Sequence, residues 1–166
     1  MDFKEGKEKF LNAWGMLASN WGINRTMAQV HALLLISPHP LNAETIMDEL
    51  KISRGNANMN IRALMDWGLV YKDIKCGERK EFFFAEKDIW EVFRKIVEQR
   101  KKKELEPIIK LFDDVTSVKE ECESSKEFCK MIKELKVMSC QADSILNKLT
   151  KTDQSWVTKG ILQVLK

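Results

Sequence analysis

Asn42-Ala43-Glu44-Thr45-Ile46-Met47-Asp48-Glu49-Leu50, then Lys51-Ile52, then Ser53-Arg54-Gly55-Asn56-Ala57-Asn58-Met59-Asn60-Ile61-Arg62-Ala63-Leu64 is the stretch on which the reading of this chain turns. Asn42 is a residue type that caps a helix start, Glu44 falls in the first turn where a negative charge is favoured, and Ile46 and Leu50 lie four apart on one face. After only two connecting residues, Ser53 offers a second cap. Ala57, Ile61 and Leu64 then keep helical spacing until Gly68 supplies a stop. Two short helices joined this tightly predict a helix-turn-helix.

Working outward, residues 69–74 and 80–85 are rich in β-branched and aromatic side chains. They flank Lys75-Cys76-Gly77-Glu78-Arg79, a glycine-centred turn, and so predict a two-stranded hairpin with a basic tip. Upstream, Phe10, Leu11, Trp14, Leu17, Ala18 and Trp21 form a helical stripe ended by Gly22. Asn24 caps a further helix, apolar on most sides and therefore central, that stops at Ser37-Pro38-His39-Pro40. Downstream, Ile89 to Val97 form another stripe, Pro107 marks a kink or a new start, and the apolar positions from Phe128 to Leu149 form the longest periodic stretch. Thr152 or Asp153 can cap a last helix carrying Trp156, Val157, Gly160, Ile161, Val164 and Leu165 on one side. The fold expected is mainly α with a small β-hairpin: a winged helix-turn-helix over residues 1–88, followed by a helical linker and dimerisation region over 89–166.

The 166 residues, 44% hydrophobic and 32% charged, suit a folded chain of one or two small units. No apolar run approaches the roughly 20 residues that span a bilayer, and the mixed-charge N-terminus does not resemble a signal peptide, so a soluble cytoplasmic protein without membrane contact is expected. Four cysteines without a CxxC pair suggest reduced thiols, and His31 and His39 have no metal-ligand spacing to them. Cys122, Cys129 and Cys140 would share one face if their helix is continuous. No P-loop, GxGxxG, HExxH or GxSxG is present, so neither an enzyme nor a cofactor is expected.

The net charge of +3 is small, but it is unevenly placed. Residues 51–80 carry seven bases against three acids, whereas residues 1–50 carry four bases against six acids. On the second helix of the pair, Arg54, Gly55, Asn56, Asn58, Met59 and Arg62 lie away from the apolar face. Arginine can bond a guanine edge and asparagine an adenine edge, and Gly55 permits close approach. Lys75, Arg79 and Lys80 around the hairpin tip suit phosphate or minor-groove contact. A polar helix face is often merely solvated, and basic hairpin tips are common. The convergence of local charge, tight helix pair and hairpin on one surface favours double-stranded DNA as the partner.

Trp21-Gly22 to Arg25, His31-Ala32-Leu33-Leu34-Leu35-Ile36-Ser37-Pro38, Ile52 to Arg62, Asp66-Trp67-Gly68-Leu69-Val70 and Gly77-Glu78-Arg79-Lys80 together resemble the MarR family, and more narrowly its GbsR-type branch. The likeness covers about residues 8–110. It implies a homodimeric transcriptional regulator, a repressor by analogy, that binds palindromic operators through its recognition helices and wings and dimerises through its terminal helices. The GbsR-type likeness further implies control by choline-like quaternary ammonium compounds. Trp14, Trp21 and Trp67 are the tryptophans best placed to form a cation-π cage coupled to DNA, with core packing as their alternative role. The rival reading is a winged-helix module that contacts protein and does not recognise a DNA sequence.

Overall fold

The computed structural model describes residues 1–73 and 80–151. The chain forms two compact units, the first ending at Val92 and the second beginning at Phe93. The first opens with α1 (Phe3–Asn20), capped by Asp2, whose side chain accepts from the Glu5 amide. Gly22, with φ +74°, turns the chain out of this helix in the left-handed region that glycine adopts at no steric cost. Asn24 then caps α2 (Arg25–Ile36) by accepting from Met27 N–H.

Helix α2 is the centre of the unit. Met27, Ala28, Val30, Ala32, Leu33 and Leu34 are all buried, covering most of its circumference, as its all-round apolar sequence requires. Helix α1 packs closely against it at Gly15, where a Cβ would come within 2.9 Å of Gln29 Cγ. Its far end is fixed by Lys87, whose Nζ donates to the carbonyls of Leu34 (2.9 Å), Leu35 (2.6 Å) and Ser37 (2.8 Å). Three acceptors at a helix C-terminus that would otherwise depend on water are thus satisfied by one cation.

Helices α3 (Ala43–Leu50) and α4 (Arg54–Asp66) pack on α2 and on each other, with Ile46, Ala57, Ile61 and Leu64 turned inward. Asn42 accepts from Thr45 N–H at 2.9 Å and Ser53 accepts from Asn56 N–H at 3.3 Å, the two caps expected from sequence. Between them Lys51 adopts φ 53°, ψ 46°, a left-handed turn that a non-glycine residue enters only at some cost. Gly68, at φ +70°, ends α4.

The sheet has one strand more than the expected hairpin. Strands β1 (Leu41–Asn42), β2 (Val70–Asp73) and β3 (Phe82–Ala85) lie in the order β1-β3-β2, all neighbours antiparallel, with Leu41 opposite Phe83 and Val70 opposite Ala85. Two residues are too short for an alternation signal, and β1 exists only because β3 offers it an edge. Along β3, Phe83 and Ala85 are buried while Phe84 is exposed, so a single face covers the core.

Helix α5 (Ile89–Arg100) runs on into a π-helical turn at Lys101–Leu105 and then α6 (Glu106–Val115). Pro107 has no N–H and its ring would crowd the carbonyl four residues back. Widening the preceding turn, with Glu106 N–H donating to Lys101 O, accommodates it without breaking the helix axis into loop. Helix α7 (Glu123–Lys151) packs on α6 and spans 29 residues, or about 44 Å. The three cysteines expected on one face are divided: Cys122 precedes the helix and is exposed, Cys129 is buried with its Sγ against Val118 O, and Cys140 is exposed. Among the described residues no helix is long and apolar enough to cross a membrane.

Candidate nucleic-acid interface

Helix α4 presents a polar outer face. Arg54, Gly55, Asn58, Met59 and Arg62 are exposed, and the turn rule explains why: they lie opposite Ala57, Asn60, Ile61 and Leu64, which are buried. Arg54 and Arg62 are eight residues apart, about 12 Å along the axis, close to the width of a DNA major groove. A Cβ at Gly55 would meet nothing within 4 Å, so the open space beside the first turn is available to an approaching partner.

Asn56 differs from its neighbours in being half-buried. Its Oδ1 accepts from Asn60 Nδ2 at 2.7 Å, and the same Nδ2 donates to Asn56 O at 2.8 Å. Asn60 is buried, and its amide fixes Asn56 in one orientation. The carboxamide oxygen of Asn56 keeps a second lone pair, so its ability to read a base edge is retained while its rotamer freedom is reduced.

The sheet flanks this helix. A hollow of about 200 Å³ lies between α4 and β3, lined by Asn42, Glu44, Arg54, Asn58, Lys80 and Phe83. On the other side of Asn58 a second hollow, of about 320 Å³, is lined by Arg62, Met65, Lys72 and Glu81. Exposed Lys80 stands at the root of the wing, and Lys72 on β2 pairs with Glu81. Lys75 and Arg79, expected at the wing tip, lie outside the described residues, as does Cys76.

Glu44 is the site residue that composition and spacing did not single out. Its Oε2 accepts from Lys80 Nζ at 2.5 Å and its Oε1 lies 3.8 Å from Arg54 Nη2. The hydrogen bond from Lys80 holds the Glu44 carboxyl below its ordinary pKa, which favours the carboxylate form. One carboxylate therefore joins the first helix of the pair, the second helix and the wing.

Trp14, half-buried on α1, packs against Phe10 with ring centroids 5.6 Å apart and planes tilted by 37°; Trp21, 62% exposed, is the C-terminal cap of α1; Trp67 is the half-buried cap of α4.

A tight pair of helices on a central helix, followed by an antiparallel wing, defines a winged helix-turn-helix fold. Residues 21–79, which begin at the end of α1, match the model of the MarR family. The chain is similar in fold to a solved structure described as "Crystal Structure of a transcriptional regulator", with a TM-score of 0.67, 14% sequence identity, and coverage of 87% of this chain and 95% of that one. No curated protein sequence matches it.

Proposed function

We propose that this protein is a sequence-specific, DNA-binding transcriptional regulator, acting as a homodimer on a palindromic operator. The observation that carries the reading is the outer face of α4: Arg54, Asn58 and Arg62 exposed along one helix with no acidic residue before Asp66, beside the wing-root cation Lys80. Arg54, Asn56 and Asn58 read base edges, Gly55 and Met59 face the groove, and Arg62, Lys80, Lys75 and Arg79 contact phosphates. The match to the MarR family model and the likeness to a transcriptional regulator support it. Repression by occlusion of the promoter, membership of the GbsR-type branch and a cytoplasmic location follow the same resemblance.

Dimerisation assigns a role to the second unit, where Ile108, Leu111, Phe128, Leu135, Met138 and Ile145 are exposed in numbers that water does not favour. A two-fold axis through such helices sets two recognition helices about one DNA turn apart. A quaternary ammonium effector would be read by one or more of Trp14, Trp21 and Trp67, which lie on separate elements, and choline quenching of tryptophan fluorescence in the wild type, lost on replacing the tryptophan that makes the contact, tests that part.

The function is tested by selecting bound duplexes from a random library and measuring the winner against scrambled DNA over a salt series. A palindromic winner with half-sites about 10 base pairs apart and a steep salt dependence is expected. Failure to enrich any sequence overturns the reading in favour of a protein-interaction module.

A further inference from the structure

Most cations of a DNA-binding surface gain by facing solvent, where they can exchange counterions for phosphates. Here two of the cations on the candidate surface converge on a carboxylate of the protein's own. Glu44 lies between Arg54 at the start of α4 and Lys80 at the root of the wing, 10 and 36 residues away in sequence, and all three line the hollow beside Asn58. The carboxylate is half-exposed, so it is not a buried structural anion. Its side chain points out of the first turn of α3 toward the face that a duplex would cover.

We propose that Glu44 is a specificity-determining residue, whose carboxylate occupies in the free protein the position between Arg54 and Lys80 that a DNA phosphate would otherwise take. This rests on the DNA-binding reading above. A random duplex offers these cations only phosphates, and to use them it must both displace Glu44 and bring its own negative charge beside it. An operator that presents a guanine edge to Arg54 returns two directed hydrogen bonds for the displaced pair. Glu44 thus penalises phosphate-only complexes more than cognate ones, and discrimination is gained at the expense of non-specific affinity.

The test is E44Q, which keeps the shape of the side chain and removes its charge, measured by fluorescence anisotropy on the selected operator and on scrambled DNA across a salt series. Scrambled DNA should bind roughly three- to tenfold tighter, with a salt slope steeper by about one, and the operator-to-scrambled ratio should fall several-fold. E49Q is the control. It makes the same charge change on the same helix, but Glu49 pairs with Lys7, away from α4 and the wing. K80Q should weaken scrambled-DNA binding more in the E44Q background than in the wild type, because only there is Lys80 unpaired from Glu44. Unchanged scrambled-DNA binding in E44Q, or an equal gain in E49Q, overturns the proposal while leaving the DNA-binding reading intact. A wild type that binds neither duplex at about 50 mM salt overturns both.

Discussion

Asn60 holds Asn56 at two points: one buried amide nitrogen donates to the Asn56 main-chain carbonyl at 2.8 Å and to its side-chain oxygen at 2.7 Å. The two residues are one helical turn apart, Asn60 inside the fold and Asn56 at the edge of the outer face. A base-reading amide loses rotamer entropy when it binds, and here part of that loss is incurred on folding. N60A should therefore weaken operator binding through Asn56 without touching DNA. It should also lower stability by about 1 kcal/mol through loss of satisfied buried hydrogen bonds. Operator affinities of N56A, N60A and the double variant check this. The double variant should bind no more weakly than N56A, and additive losses would contradict the coupling.

The two arginines of α4 should separate by role. Arg54 begins the helix, where side chains reach base edges, and R54A should cost about 1–3 kcal/mol on the operator while relaxing preference at one base pair. Arg62 lies about two turns further on, and R62A should weaken all sequences and reduce the salt slope by about one. Repeating the duplex selection with each variant distinguishes them: a changed consensus belongs to R54A, an unchanged one to R62A.

The elements that carry this surface were legible because their boundaries are local. Asn42, Ser53, Gly22 and Gly68 each announce a helix end through chemistry confined to a few neighbouring residues, and the inward set Ala57, Ile61 and Leu64 fixes which face of α4 is free. Strand β1 was not legible, since Leu41 and Asn42 become a strand only by pairing with Phe83 and Phe82 some forty residues on. Glu44 was missed for the same reason. It reads as a first-turn acid, and its bridge to Lys80 depends on how the wing returns to α3. The π turn before Pro107 was half-legible: the proline signalled a disturbance, but whether the helix would break or widen was set by packing.

His31 should make the fold acid-sensitive. It is buried on α2, and burial, reinforced by the positive charge of Lys87, lowers its pKa from 6.5 to about 4. Below pH 6.5 the unfolded chain takes up a proton that the folded chain refuses until about pH 4. Stability therefore falls as pH drops through that window, by about 2 kcal/mol between pH 7 and pH 5. The Nε2 atom has no hydrogen-bond partner, so H31L should remove this dependence without a large loss at pH 7. Urea unfolding at the two pH values checks both statements, and an H31L protein that keeps the full pH dependence would assign it to other groups.

The long helix α7 provides the sharpest separation of assembly from folding. Met138 and Ile145 are 68% and 65% exposed and stand seven residues apart, two turns along one side of the helix. Neither side chain is part of a packed core, so replacing them with glutamate should leave the helix content and the thermal transition of the first unit nearly unchanged. If they instead lie in a two-fold interface, each substitution is felt twice, and four carboxylates must be desolvated or kept apart. The M138E/I145E variant should then sediment as a folded monomer where the wild type sediments as a dimer. Operator affinity should fall by roughly a hundredfold or more, because the second half-site is no longer held at high effective concentration, while affinity for an isolated half-site stays as it was. A variant that remains dimeric would move the interface to another face, and a wild type already monomeric at micromolar concentration would remove the two-fold reading of the operator.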